Sequence, residues 1–441
     1  MFLTKCQQIN NEKQYTPKIV RCCSNRETYR QIKSDCLHFK TTGYNLHTLN
    51  FCVEHKDAQT KARACTFETG HGVVKTPVFM PVGTQATVKA VEQRELEEIQ
   101  SQIILANTYH LALRPGTEVI QHAGGLHQFM NWTKPILTDS GGYQVFSLSE
   151  LRKIEHDGVT FQSHIDGSYH RFTPEIVIDI QRAIGSDVMM ILDECAPAEC
   201  GYDYAKRSND LTVQWARSAR EYVSRTQPLY GFDQKTFGIV QGSVYDDLRV
   251  QSASSLMKIG FDGYAIGGLS VGESAEDMYR ITDVCTDVLP EQSARYLMGV
   301  GTPQNILEAI ERGIDMFDCV LPTRNGRNAM LFTSSGPITL KKESFLSDYA
   351  PIDGECDCYV CKSFSRAYIC HLFRAKELLA LQLASLHNLA FYARMTSSAR
   401  EAICGGRFVE WKSSFLKRYE NTHPEKSETD YHDVKNRYFH A

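Results

Sequence analysis

Eight short apolar runs that lead into helical patterns constrain the fold of this chain more than any other feature. They repeatedly end in Gly, Asp, Asn or Gln, and amphipathic stretches such as 302–313 lie between them. Near-continuous apolar strands alternating with helices indicate a parallel sheet buried on both faces, and eight of them predict an α/β fold, the (β/α)8 TIM barrel. In this fold the chemistry lies at the carboxyl ends of the strands, where the polar residues fall. The runs are 78–82, 103–107, 136–139, 188–193, 237–241, 264–268, 296–299 and 316–320.

Composition excludes several classes of protein. A hydrophobic content of 42% with 23% charged residues is typical of globular domains. No stretch approaches the ~18 consecutive apolar residues of a membrane span, and the N-terminus lacks the pattern of a secretion signal. The 15 cysteines are odd in number and their one dense cluster has metal-ligand spacing, which favours a reducing cytoplasm over a disulfide framework. A net charge of -4 gives no sign of a nucleic-acid partner, so any such site must be a local basic patch.

The dense cluster is a Cys-x-Cys-x-x-Cys motif formed by Cys356, Cys358 and Cys361. Three thiolates and one imidazole make a closed tetrahedral set that suits Zn²⁺, and a closed set is structural because no position remains for water. Both His371 and His387 follow the motif, and spacing alone does not decide between them. The alternative is three loop cysteines with an unrelated histidine.

Three aspartates, Asp139, Asp193 and Asp318, end apolar runs. A carboxylate directly after a buried strand faces the mouth of a barrel, so all three can reach one pocket. Two carboxylates at an anomeric carbon can divide a retaining displacement between nucleophile and proton shuttle, while a third can accept hydrogen bonds from guanine. Gly141-Gly142 and Gly267-Gly268 allow the backbone to approach a planar ligand. The alternative for each aspartate is a cap or ion pair at a strand end.

Four motifs resemble those of bacterial tRNA-guanine transglycosylases, over about 51–418 of the chain. The cysteine motif, followed after twenty-five residues by His387, is similar to the zinc site of that family, so the resemblance selects His387 over His371. It implies one structural Zn²⁺ per subunit. The motifs are TDSGGYQ at 138–144, GIVQG at 238–242, GYAIGGLSVGE at 263–273 and FDCVLPTR at 317–324.

The resemblance also implies a role for each matched residue. Asp318 is expected to be the nucleophile on the ribose of the wobble guanosine, and Asp139 the general acid/base. Tyr143 and Met298 are expected above and below the base, although both positions also suit ordinary core packing. Substrate contacts are expected from Asp139, Ser140, Gly141, Gly142, Tyr143, Asp193, Gln241, Gly268, Leu269 and Met298.

Two further stretches match the RNA-contacting segments of the family. Arg324 and Arg327 are expected to bind bases or phosphates beside the wobble position. Without the motif they would be interpreted as two solvent-exposed arginines of a loop. The expected RNA-binding residues are Gly299, Val300, Gly301, Thr302, Pro303, Gln304, Asn305, Thr323, Arg324, Asn325, Gly326 and Arg327.

The implied activity is that of a pentosyltransferase in queuosine biosynthesis. It would exchange the wobble guanine of GUN-anticodon tRNAs (Asp, Asn, His, Tyr) for 7-aminomethyl-7-deazaguanine through a covalent ribosyl-aspartate. Val271 and Cys195 follow the bacterial pattern, whereas glycine at the position of Val271 admits queuine in eukaryotic enzymes. The Leu269 carbonyl with Glu273 nearby can accept the aminomethyl cation. Queuine as the incoming base remains an alternative.

Two other functions are weighed against this one. A non-catalytic tRNA-binding paralogue would be expected to have lost some of the three aspartates, and a nucleoside hydrolase would not need the zinc segment or the arginine pair. The resemblance further implies a homodimer, with Phe364, Tyr368 and His371 at the interface, and no membrane association.

Four regions are therefore expected, with an inserted hairpin inside the second, where Asp166-Gly167 is flanked by alternating residues at 159–172. A long helical pattern spans about 365–394. The first region can alternatively be an RNA-touching arm or a transit segment. The regions are 1–48, a basic, Cys-rich and poorly ordered extension; 49–334, the catalytic barrel; 335–425, the zinc-binding segment with helices that pack on the barrel; and 426–441, a polar tail.

Overall fold

The computed structural model of the chain describes residues 50–148, 151–197 and 199–420. The expected extension at 1–48 and the expected tail at 426–441 lie outside these residues, so both stay predictions. Among the described residues, no helix combines the length and hydrophobicity needed to cross a membrane.

The described chain begins with an antiparallel sheet of three strands, β1 (Phe51–Lys56), β2 (Arg63–Thr69) and β3 (Gly72–Thr76). Continuous apolar runs do not reveal this sheet, because polar and exposed residues interrupt each of its strands. In β3, for example, Val74 is buried while its neighbours Val73 and Lys75 are exposed. One face of the sheet therefore packs on the core and the other faces solvent.

A nine-membered parallel sheet forms the barrel, and it confirms the predicted (β/α)8 architecture. The first predicted run contributes two members, since Pro81 has no backbone N–H and interrupts the ladder between them. The first of these pairs with the last strand and the second pairs with the next strand along the chain, so the sheet closes on itself. The members are β4 (Val78–Met80), β5 (Val82–Gly83), β6 (Ile104–Ala106), β7 (Ile136–Thr138), β11 (Val188–Met190), β12 (Lys235–Val240), β13 (Gly263–Ile266), β14 (Ala294–Leu297) and β15 (Met316–Asp318).

Helices connect the strands, and several begin where the sequence has a capping residue. Thr302 caps the helix predicted at 302–313, since its side chain accepts the backbone N–H of Asn305, and Pro303 occupies the first turn. The barrel helices are α1 (Gln93–Glu98), α2 (Thr108–Leu113), α3 (Thr117–His122), α4 (Leu126–Met130), α5 (Gly142–Leu148), α6 (Pro174–Ile184), α7 (Tyr202–Arg225), α8 (Asp246–Ile259), α9 (Ala275–Val288), α10 (Pro303–Glu311) and α11 (Leu321–Arg327).

The inserted hairpin is confirmed and has one strand more than predicted. β9 (Gly158–Gln162) pairs with β10 (Tyr169–Phe172) in antiparallel fashion, and the turn between them contains Asp166-Gly167. β8 (Arg152–Glu155) adds a third strand on the other edge of β9.

After the barrel come the hairpin β16 (Met330–Thr333) and β17 (Gly336–Thr339) and the helices α12 (Tyr359–Ser363), α13 (Arg366–Ala375), α14 (Leu378–Cys404) and α15 (Phe408–Glu420). The helical pattern predicted at about 365–394 is wrong as one element. It forms α13 and the first part of α14, because Lys376 adopts a left-handed conformation (φ 59°) that ends α13.

The Asn388 side chain attaches α14 to the barrel. Its oxygen accepts the backbone N–H of Phe332 at 3.0 Å, and its amide nitrogen donates to the carbonyls of Pro322 at 2.9 Å and Met330 at 3.0 Å. One buried amide therefore holds three backbone groups from β16 and α11.

A buried ion pair joins the first sheet to the amino end of the barrel strands. Arg63 bonds both oxygens of Asp315, at 3.0 and 2.6 Å, and the side chains are 3% and 0% exposed. The Asp315 carboxylate also accepts the backbone N–H of Arg295 at 2.7 Å.

Arg63→Met should lower the free energy of unfolding by about 3–5 kcal/mol, because it leaves the Asp315 carboxylate buried without its partner. Urea unfolding measures the loss. Lys206→Met is the matched control: it breaks the exposed Lys206–Asp210 pair and should cost no more than about 0.5 kcal/mol. Equal losses in the two variants would contradict the prediction.

Candidate active site and metal centre

The three aspartates predicted to share a pocket all lie at the carboxyl end of the barrel. Asp139 follows β7 directly, Asp193 lies three residues after β11, and Asp318 is the last residue of β15. Their charges interact, since both Asp318 and Asp193 raise the pKa of Asp139. The predicted convergence of the three carboxylates is therefore present in the structure.

Asp139 is held by the turn that follows β6. Its Oδ1 accepts the backbone N–H of Thr108 at 2.9 Å, and its Oδ2 accepts a short hydrogen bond from the Asn107 amide. Burial raises the pKa of Asp139 to about 7, the two other carboxylates add to the rise, and the hydrogen bonds oppose it. A carboxyl group that titrates near neutral pH can both donate and accept a proton, as a general acid/base requires.

Asp318 accepts hydrogen bonds on one of its two carboxylate oxygens, Oδ1. The Tyr296 hydroxyl donates to Oδ1 at 2.5 Å, and the backbone N–H of Gly299 donates to the same oxygen at 2.8 Å. Burial raises the pKa of Asp318, and both donors oppose this rise. Within the described part of the chain no donor bonds Oδ2, so the two oxygens of Asp318 differ in their environment.

Tyr296 was not among the residues expected from the sequence. It is buried, and burial together with the Asp318 carboxylate raises its pKa well above the ordinary value, so the hydroxyl stays protonated and donates. The signal that could have identified it is its place on β14, two residues before Met298, because alternate residues of a strand face the same side.

Asp193 is the centre of a buried polar cluster. Ser140 donates to its Oδ1 at 2.8 Å and the Gln241 amide donates to its Oδ2 at 2.7 Å. Glycine is required beside the cluster: a Cβ on Gly142 would lie 2.6 Å from the Asp193 carbonyl, and one on Gly268 would lie 2.4 Å from the Gln241 side-chain oxygen. The structure thus brings together five of the expected base-binding residues.

The loop after β13 closes this side of the pocket. Glu273 accepts the backbone N–H groups of Ser270, through a short bond, and Val271, at 3.0 Å. Because a trans peptide directs its C=O and N–H in opposite directions, the Leu269 carbonyl points away from Glu273. Tyr143 is 43% exposed, so its ring is accessible to a ligand, while Met298 is partly buried against the core.

In the first expected RNA-contacting stretch, 299–305, several residues are buried or form hydrogen bonds within the protein. Val300 and Pro303 are buried, and the Gly301 carbonyl accepts the Tyr392 hydroxyl. Thr302 caps α10, and the Asn305 side chain accepts the Tyr279 hydroxyl at 2.7 Å.

The second stretch, 323–327, differs from the first because its two arginines form no salt bridge within the described residues. Gly326 packs against the α14 backbone, where a Cβ would lie 2.9 Å from Ala384. Arg324 is exposed, and the half-buried Arg327 has a buried Nη1 without a hydrogen-bond partner. Burial and the neighbouring Arg324 lower the pKa of Arg327. Two adjacent guanidinium groups with an unused donor favour an anionic ligand.

The four predicted metal ligands, Cys356, Cys358, Cys361 and His387, form one cluster in which every ligand atom lies within 4.8 Å of the others. The Nδ1 of His387 is 3.7 Å from the Cys358 sulfur and 3.3 Å from the Cys361 sulfur. Tetrahedral zinc with ordinary Zn–S and Zn–N bonds separates such atoms by about 3.5 Å. The Nε2 of His387 bonds the Phe332 carbonyl at 2.7 Å, which directs the Nδ1 lone pair at the thiols. The residues therefore fit a metal ion, whereas His371 lies outside the cluster.

The stability of the Asp139→Asn variant should increase relative to that of the wild type as pH rises. The raised pKa of Asp139 means that the folded protein binds more protons than the unfolded chain between about pH 4 and 7, so this carboxyl group lowers stability as pH increases through that window. Melting temperatures of the two proteins from pH 4 to 8 measure the difference. A difference that is constant with pH would show that Asp139 titrates normally.

Cys358→Ser should reduce bound metal and lower the melting temperature, because the loss of one ligand weakens a site coupled to folding. Metal analysis and thermal melting provide the test. Cys404→Ser, at an exposed position outside the cluster, is the control and should change neither. Full metal content with unchanged melting in Cys358→Ser would contradict the assignment.

Comparison with known proteins agrees with this geometry. The model of the family described as queuine tRNA-ribosyltransferase matches residues 57–421. A queuine tRNA-ribosyltransferase of Caldanaerobacter subterraneus subsp. tengcongensis is 56% identical over 371 residues, which cover 84% of this chain and 98% of the relative. The proteins of that name from Halothermothrix orenii and Thermodesulfovibrio yellowstonii are 51% and 49% identical and cover 85% and 88% of this chain, with 99% and 100% of the relatives covered. The chain therefore belongs to the queuine tRNA-ribosyltransferase family.

Proposed function

We propose that this protein is a tRNA-guanine transglycosylase that replaces the wobble guanine of GUN-anticodon tRNAs (Asp, Asn, His, Tyr) with 7-aminomethyl-7-deazaguanine, in queuosine biosynthesis. The observation that carries the proposal is the pair of carboxylates at the barrel mouth with different environments. Asp318 has one oxygen fixed by two donors and the other unbonded, whereas Asp139 has a pKa near 7.

The reaction follows from these two environments. Oδ2 of Asp318 attacks C1′ of the ribose, the C1′–N9 bond breaks, and its electron pair leaves with guanine, which takes a proton from Asp139. The incoming base then returns its N9 proton to Asp139 and attacks C1′ of the ribosyl-aspartate. Two displacements at one carbon give net retention.

The buried cluster around Asp193 supports guanine as the outgoing base. The Asp193 carboxylate can accept the ring N–H and exocyclic amine of guanine, donors that adenine does not present in this pattern. Gln241 and the backbone of Gly268 and Leu269 lie beside it, and the accessible ring of Tyr143 can cover the base.

The incoming base is assigned from the loop after β13. Val271 occupies the place where glycine would leave room for queuine. The Leu269 carbonyl, directed away from Glu273, can accept the aminomethyl cation. Queuine as incoming base is the alternative, and competition between the two bases distinguishes them.

Arg324 and Arg327 are the proposed contacts of the tRNA backbone. Both lie on α11, the helix that follows the proposed nucleophile Asp318. Phosphate can neutralise the charges of the exposed Arg324 and of the neighbouring, half-buried Arg327. The side chains at 299–305 serve mainly to position the loop.

The Cys3His cluster is assigned to one structural Zn²⁺ per subunit, held by three thiolates and one imidazole in a reducing cytoplasm. The proposed homodimer interface is the surface beside this cluster. There the ring centroids of Phe364 and Tyr368 stack at 5.4 Å and Tyr359 is 54% exposed. Exposed aromatic clusters are typical of interfaces. A monomeric mass at micromolar protein concentration would refute the dimer.

Asp318→Asn should reduce incorporation of labelled guanine into a GUN-anticodon tRNA at least about 10³-fold, because an amide cannot form the ribosyl-enzyme. Binding of tRNA, measured in parallel, should remain. Asp210→Asn, at an exposed surface position, is the control for general effects. Incorporation retained by Asp318→Asn would exclude this residue as nucleophile, and a wild type that binds tRNA without incorporation would favour a non-catalytic tRNA-binding protein.

A further inference from the structure

Arg249 is a fully buried cation at the ends of β12 and β13. Its Nε donates to the Ser243 carbonyl at 2.8 Å, its Nη1 to those of Val240 at 2.9 Å and Gly267 at 2.7 Å, and its Nη2 to that of Gly268 at 3.4 Å. Within the ranges that the structure describes, no carboxylate forms a salt bridge with it. Backbone carbonyl groups are therefore its direct partners, and the more distant Glu273 carboxylate also favours its charged form, although burial lowers its pKa overall.

These hydrogen bonds set the direction of two peptide N–H groups. In a trans peptide the C=O and the following N–H point in opposite directions. Since the Gly267 and Gly268 carbonyls face Arg249, the N–H groups of Gly268 and Leu269 face away from it. The Gln241 side chain, which bonds Asp193, also lies against Gly268, where a Cβ would be 2.4 Å from its Oε1. The two N–H groups are thus presented beside the proposed base pocket.

We infer that Arg249 is a positioning residue for purine recognition, which orients the N–H groups of Gly268 and Leu269 to bind the O6 carbonyl of guanine. This inference rests on the proposed function. As guanine leaves with the C1′–N9 electron pair, part of the negative charge reaches O6. A buried positive charge behind two fixed N–H dipoles stabilises that charge without reorganisation.

Arginine suits this position because it can bond several carbonyl groups at once. A buried charge is costly compared with an apolar side chain of similar size unless hydrogen bonds compensate it. A guanidinium can bond carbonyls of both loops at once through its planar fork, whereas the point charge of lysine cannot span them in the same geometry.

The test compares guanine with 6-thioguanine as the incoming base, because sulfur at position 6 is a weaker hydrogen-bond acceptor than oxygen. The wild type should prefer guanine. Arg249→Met should raise the KM for guanine by about tenfold or more and narrow the preference between the bases, while tRNA binding stays unchanged. A purely structural defect would impair the use of both bases equally.

Arg295→Met is the matched control. Arg295 is also buried and bonds the carbonyls of Leu289 and Gly313, but it lies at the amino end of the strands. Its loss should lower the melting temperature without changing the base preference. Should Arg249→Met not fold, Arg249→Lys serves instead and should shift the preference in the same direction.

An unchanged preference in the folded Arg249 variant, or equal use of the two bases by the wild type, would overturn the inference while leaving the proposed exchange standing. A wild type that incorporates neither base would overturn the proposed function, and the inference with it.

Discussion

The site depends on the burial of three carboxylates at one end of a closed barrel. Burial disfavours the charged form of each, and the pKa values of Asp139, Asp193 and Asp318 are all raised. What distinguishes their environments is the number and direction of the hydrogen-bond donors around them. Backbone and amide donors hold Asp139, a tyrosine and a glycine hold one oxygen of Asp318, and a serine and a glutamine occupy both oxygens of Asp193.

The two ends of the barrel use buried charge differently. At the amino end, Arg63 and Asp315 neutralise each other and join the first sheet to the strands. At the carboxyl end the acidic groups have no such arginine partner among the described residues, and the buried Arg249 bonds carbonyl groups instead. The ion pair at the amino end thus joins the first sheet to the barrel. The carboxylates at the carboxyl end form no salt bridge with arginine within the described residues, so they can bind a ligand.

Much of this arrangement could be predicted from the sequence, because apolar runs that end in polar residues are a local signal. The eight barrel strands, the hairpin around Asp166-Gly167 and the ligand set including His387 all followed from pattern or resemblance. The first sheet was not predicted, since polar residues interrupt the apolar positions of its strands. The break at Lys376 was not predicted either, because it depends on a single left-handed residue. Tyr296 and Arg249 were missed because their hydrogen bonds join elements that are distant in the chain, which no local pattern encodes.

The hydrogen bonds of Asn388 connect the Cys3His cluster with the segment that follows Asp318. Asn388 follows His387 directly and bonds the carbonyl of Pro322, four residues after Asp318. A displacement of α14 at the cluster would therefore also move the start of α11, which lies three residues after Asp318.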